Sequence, residues 1–99
     1  MAKYFLTNKA IQDLSEIYEY TYKLWSEIQA EKYYLELIEF CQTLSENPNI
    51  GKVYHEINSD LLGLPIQKHI VFYKSIQNDE IEIVRILGGN MDLKNRIKE

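Results

Sequence analysis

Apolar positions along the chain follow two different periods. Ala10, Ile11, Leu14, Ile17, Tyr18, Thr21, Leu24 and Trp25 recur at three- and four-residue steps. That spacing places them on one face of an amphipathic helix. Thr7 and Asn8, just before it, are good N-cap residues. Ser26 stops and restarts the pattern. Ser26-x-x-Gln29 has the spacing of a capping box, in which the hydroxyl takes the backbone N–H three residues on. A second stripe follows at once: Ala30, Tyr33, Tyr34, Leu37, Ile38, Cys41 and Leu44. Two helices joined almost without a loop predict an antiparallel hairpin. Asn47-Pro48-Asn49-Ile50-Gly51 ends it, because Pro48 disfavours helical geometry at Asn47.

Beyond Gly51 the period falls to two. His69–Tyr73 and Ile81–Leu87 are β-branched and aromatic, and the second alternates over its first part. The polar turn from Ser75 to Glu80 joins them as a hairpin. Leu61–Ile66 reads as a third strand, which Pro65 confines to an edge or a bulge because it lacks an N–H. Lys3–Leu6, short and aromatic, reads as a first strand. Gly88-Gly89-Asn90 breaks the last strand, and Met91–Ile97 has room for a helical turn or two. The order is strand, helix, helix, three strands. It predicts an α+β fold in one domain over residues 1–99, with the helix hairpin packed on a small, mostly antiparallel sheet.

Composition narrows what such a domain can do. A chain of 99 residues holds one modest core and no separate cofactor domain. With 45% hydrophobic and 26% charged residues, it is not expected to be disordered. The net charge is −4. It lacks the basic surplus with which nucleic-acid binders neutralise phosphates, so no sequence-specific nucleic-acid binding by this chain alone is expected. The charge is uneven. Up to Glu46 there are four lysines against eight acidic residues, and from Asn47 onward there are seven of each sign. The single cysteine, Cys41, forms no intrachain disulfide, and with two histidines it completes no Cys/His zinc site. A reducing, cytoplasmic setting is expected, with no cofactor and no metal. No apolar run approaches the ~20 residues of a bilayer span. Asn8 and Lys9 interrupt the apolar start, so neither a membrane segment nor a signal peptide is expected.

Candidate chemistry is sparse. Neither His55 nor His69 has a neighbouring serine or cysteine in a nucleophile motif, and His69 reads as a structural histidine rather than a catalytic one. Cys41 lies on the apolar stripe and reads as core. Gly88-Gly89 lacks the rest of a phosphate-loop fingerprint. Asp13, Glu16, Glu19, Glu27, Glu31, Glu36 and Glu39 lie mostly off the apolar stripes and read as a solvated face. Tyrosine is the unusual count, at 8. Tyr18, Tyr20, Tyr22, Tyr33 and Tyr34 cluster on the helices with Trp25. Tyrosine has an apolar body and a polar tip, which suits an interface. A protein partner and packing at the helix–sheet junction both account for the cluster. Arg85, Lys94, Arg96 and Lys98 form a basic group interleaved with Glu82, Asp92 and Glu99. That is the pattern of a solvated surface, with nucleic acid as the alternative.

Four segments, in order, carry a family resemblance. They are Leu6-Thr7-x-x-Ala10-x-x-Asp13-Leu14, Asn47-Pro48-x-x-Gly51, Lys68-His69-Ile70-Val71-Phe72-Tyr73, and Ile83-Val84-Arg85-Ile86-Leu87-x-x-x-Met91-Asp92. Together the chain resembles the ParE branch of the RelE/ParE toxin superfamily, the plasmid-stabilisation toxins. The resemblance implies the toxin of a bacterial type II toxin–antitoxin pair, acting on DNA gyrase and neutralised by a ParD-like antitoxin. It implies gyrase-facing residues among Arg85, Met91, Asp92, Lys94 and Arg96. It places the antitoxin tail on the aromatic hairpin, at Tyr18, Tyr22, Trp25, Tyr33 and Tyr34. The RelE branch, which cleaves mRNA on the ribosome, is the enzyme alternative. That chemistry needs basic and acid/base side chains near the C-terminus, where this chain has Gly88, Gly89 and Asn90, so catalysis is not expected. The chain also departs from the ParE pattern, with Pro65 where family members often have arginine and Gly88 where many have histidine. A toxin homologue that only binds its antitoxin is the alternative these departures raise.

Overall fold

Both helix starts follow from their caps. The Thr7 hydroxyl accepts the Ala10 N–H at 3.0 Å, and the Ser26 hydroxyl accepts the Gln29 N–H at 3.1 Å. In the computed structural model, which describes residues 2–54, 57–77, 79–89 and 92–98, these caps open α1 (Asn8–Leu24) and α2 (Glu27–Glu46). The strands are β1 (Lys3–Leu6), β2 (Lys52–Tyr54), β3 (Asn58–Ile66), β4 (His69–Ser75) and β5 (Glu80–Gly88), followed by a short α3 (Leu93–Ile97). They form one sheet in the order β1-β5-β4-β3-β2. Among the described residues β1 pairs with β5 in parallel and the other neighbours are antiparallel. The predicted α+β architecture is present, with one strand more than the sequence pattern showed. That strand, β2, has three residues, too few for an alternation to register.

Pro65 sits where a missing N–H costs little. The pairing of β2 with β3 ends at Lys52↔Gly63, so β3 is locally an edge at Pro65, although it pairs with Ile70 on its other side.

The sheet is covered on both faces. Towards the hairpin, Leu14, Leu37, Cys41 and Leu44 pack on Val71, Tyr73, Ile83 and Ile86. On the opposite face Ile70, Phe72 and Leu87 are covered by Tyr54, Leu93 and Ile97, so α3 is the lid of a second small core. The second motif of the sequence has a physical reason here. Fully buried Tyr73 donates its hydroxyl proton to the Pro48 carbonyl at 2.8 Å and accepts the Gly51 N–H at 2.9 Å. A Cβ at position 51 would lie 2.8 Å from Tyr73 Cε1. Glycine is therefore required by the close approach of that ring.

Candidate functional site

The outer edge of β5 organises the site. β1 runs beside it only as far as Leu6↔Ile83. Beyond that point α1 takes over the edge. Thr7 donates its N–H to the Ile83 carbonyl at 3.1 Å and its hydroxyl proton to the Val84 carbonyl at 2.8 Å. The Asp13 carboxylate accepts the Ile86 N–H at 3.0 Å. The same carboxylate accepts Arg85 Nε at 2.8 Å and Nη2 at 3.0 Å. Arg85 Nη1 donates to the Arg96 carbonyl at 2.6 Å. Asp13 and Arg85 are each only 5% exposed.

Burying two charges costs several kcal/mol per ion, an expense their attraction offsets only when the remaining lone pairs and protons are also satisfied. Here both carboxylate oxygens and all three guanidinium nitrogens have partners, so the pair ties α1, β5 and α3 together. A register shift helps. Phe72 faces Arg85 while Tyr73 faces Ile83, which leaves Val84 as the extra residue of a bulge. A bulge re-aims the side chains that follow it. Ile86 returns to the helix-covered core while Arg85 sits opposite Phe72. Asp13 is thus no part of a solvated face. It lies three residues after Ala10 and four before Ile17, on the buried margin of the stripe, and its partner is 72 residues away.

A cleft opens beside this pair. From Ile86 to Gly89 no strand among the described residues flanks β5 on its outer side, and α1 passes over the gap. The space is ≈ 430 Å³, with Glu16, Ile17 and Tyr20 on one wall and Lys68, His69 and Arg96 on the other. A second cavity of ≈ 480 Å³ shares Tyr20, Lys68 and His69, and extends past Leu24 and Tyr33 to Trp25 at the hairpin tip. Gln67 and Lys68 form the tight turn between β3 and β4, with Gln67 in the left-handed region at φ 50°. Its side chain donates to Glu36 of α2. At the junction of the cavities the Tyr33 hydroxyl lies 2.7 Å from His69 Nδ1. Burial lowers the His69 pKa, with Lys68 acting in the same direction and the Asp13 charge opposing. Burial raises the Tyr33 pKa, and it pushes the Cys41 thiol up to about 12. Cys41 is therefore a core residue and not a reactive thiol.

The candidate partner-binding residues divide between two places. Tyr18 stacks on Tyr22 with ring centroids 6.4 Å apart and meets Tyr34 edge-on at 6.2 Å. This group lies on the hairpin surface and lines neither cavity. Trp25, 68% exposed, and buried Tyr33 line the second cavity instead. Of the candidate gyrase-facing residues, Arg85 is interior, Lys94 and Asp92 are exposed, and Arg96 is half-buried beside the first cavity. Asp92 caps α3. Met91 and His55 lie outside the described residues. The convergence of Asp13, Tyr20, Lys68 and His69 was not readable from sequence, except that Asp13 keeps the helical spacing of buried neighbours.

Among the described residues, no group of three or more His, Cys, Asp or Glu side chains could hold a metal ion, and no helix is long and apolar enough to cross a membrane. Residues 4–93 match the family model described as the ParE toxin of the type II toxin–antitoxin system parDE. A Mycobacterium tuberculosis protein named Toxin ParE1 is 32% identical over 96 residues, covering 97% of this chain and 98% of the relative. A Caulobacter vibrioides protein, also named Toxin ParE1, is 28% identical over 94 residues, covering 95% and 96%. A solved structure titled as a chromosomal ParDE system from P. aeruginosa superposes with a TM-score of 0.74. It shares 24% identity, over 89% of this chain and 95% of that one, and so shares the fold.

Proposed function

Because the chain belongs to the ParE toxin family of type II toxin–antitoxin systems, we propose that it poisons DNA gyrase by binding rather than by catalysis, and that a ParD-like antitoxin silences it. Both partners would meet it in the cytoplasm. The observation that supports binding over cleavage is the burial of Arg85. A ribonuclease of the RelE kind needs cationic and acid/base side chains aimed at the scissile phosphate. The Arg85 guanidinium is instead committed to Asp13 and to the Arg96 carbonyl. Arg85 serves the gyrase-facing segment from beneath by holding α3, on which Lys94 and Arg96 sit behind Asp92, with Met91 preceding them. The helix hairpin, whose aromatic residues divide between two faces, receives the antitoxin.

Purified protein added to gyrase tests this reading. Loss of supercoiling with accumulation of cleaved DNA is expected. Unchanged supercoiling and cleavage would overturn it. Ribosome-dependent cleavage of translated mRNA would assign the RelE-like activity instead. Harmless induction without antitoxin, with antitoxin binding intact, would assign a non-toxic homologue.

A further inference from the structure

We propose that the tip of the helix hairpin is the contact through which two copies of this chain pair. Trp25 and Ile28 of each copy pack on the other across a two-fold axis, and Lys23 of each faces Glu27 of the other. The pairing stands apart from the toxin reading and needs no other partner.

Exposed apolar side chains gather at the tip. Tyr20, Leu24, Trp25 and Ile28 are 67, 57, 68 and 81% exposed. Tyr20, Leu24 and Trp25 close the hairpin end of the groove made by the two joined cavities. Ile28 serves no part of the core. Two residues before Ala30, it points to the other side of α2 from the buried stripe of Ala30, Tyr33 and Leu37. A patch of this kind is an interaction site or an aggregation hazard, and Trp and Tyr are the side chains that most often anchor an interface.

Area and charge both fit a second copy. At ~150–250 Å² for a whole aromatic side chain, the four exposed residues present about 500 Å² per copy. Two copies then bury about 1,000 Å², the size at which a specific contact begins. Elsewhere the hairpin is acidic, and two acidic faces repel. The tip is the exception. From Tyr20 to Tyr34 the charged residues are Lys23, Glu27, Glu31 and Lys32, so this stretch is neutral. Among the described residues no ion pair engages Lys23 or Glu27. In a two-fold contact residue i meets j and j meets i, so one match of Lys23 with Glu27 is made twice.

The test uses the full chain alone. Its mass by light scattering is expected to double between about 1 and about 500 µM, as a contact this small is weak. Trp25 is the one tryptophan of the sequence, so its emission reports on the tip and is expected to shift to the blue over the same range. Ile28→Lys keeps that reporter and is expected to weaken pairing at least ~10-fold. Phe5→Ser, on β1 beyond the other end of α1, is expected to stay within ~2-fold of wild type. Lys23→Glu and Glu27→Lys are each expected to weaken pairing, and an equal mixture of the two is expected to restore it, because both matches form between unlike chains. Circular dichroism checks that each variant folds. A single-chain mass with unshifted emission at the highest concentration would overturn the proposal. So would a mass that climbs past two chains, which a closed two-fold contact forbids, or a mixture that pairs no better than either variant alone.

Discussion

Asp13 and Arg85, 72 residues apart in the chain, meet as a buried bidentate ion pair whose carboxylate also closes the edge of β5 through the Ile86 N–H. Removing one member leaves the other charged and unpaired in the interior. Asp13→Ala is expected to destabilise the fold by ~3–5 kcal/mol, a large part of the ~5–15 kcal/mol that holds a typical domain together. Urea unfolding measures it. A loss below ~1 kcal/mol would show that water reaches Arg85 freely.

Tyr73 makes a second, independent tie. Its hydroxyl bridges Pro48 and Gly51, so Tyr73→Phe leaves a carbonyl and an N–H without their partner, at a cost of ~1–3 kcal/mol. Gly51→Ala forces a methyl group against the same ring and is expected to cost ~1–3 kcal/mol through overpacking. Both changes act through one side chain, so their double variant should be non-additive. Strict additivity in denaturant midpoints would disprove the shared contact.

His69 gives the fold a pH dependence of predictable sign. Its folded pKa lies below the usual 6.5, chiefly through burial. Below about pH 6.5 the unfolded chain takes up a proton that the fold resists. This contribution is fully present above that pH and is lost as pH falls towards the folded pKa. His69→Asn should flatten this part of the profile between pH 5 and 7. Identical slopes in the two proteins would refute the assignment.

Cys41 should resist alkylation. With its pKa pushed up to about 12 by burial, almost no thiolate exists at pH 8, and thiolate is the reacting form. Mass spectrometry should find native protein unmodified by iodoacetamide and urea-unfolded protein fully modified. Rapid labelling of the native chain would place Cys41 at the surface.

The helices were legible because their 3.6 period persists long enough to register, with the caps at Thr7 and Ser26 marking boundaries chemically; β5 was legible from its alternation, and β3 and β4 from apolar, β-branched or aromatic composition between turn signals. β1 was legible from its aromatic, apolar composition alone. Lys52–Tyr54 was not, since three residues carry no period. The bulge at Val84 was not legible either, and it decides which face Arg85 takes. The family motifs named Asp13, Gly51 and Arg85 without giving their reasons. Those reasons are contacts across 72 residues for Asp13 and 22 for Gly51, which no local pattern encodes. The groove was hidden for the same cause. Tyr20, Lys68 and Arg96 become neighbours only when α1 crosses the unpaired end of β5.

Whether Arg85 supports the toxin or touches its target can be separated by replacing the ion pair rather than breaking it. Exchanging both members of a buried pair for apolar residues of similar volume is often close to neutral. In Asp13→Leu/Arg85→Met the Ile86 N–H still loses its acceptor, at ~1–3 kcal/mol, so the double variant should be less stable than wild type yet more stable than the single variant Asp13→Ala, which leaves Arg85 charged and unpaired. If Arg85 acts only by holding α3 against β5, growth arrest and gyrase poisoning should return in the double variant in proportion to its folded fraction. If the guanidinium meets gyrase or an RNA phosphate directly, the double variant should fold, by circular dichroism and thermal unfolding, and remain inactive. The buried geometry of the pair predicts the first outcome.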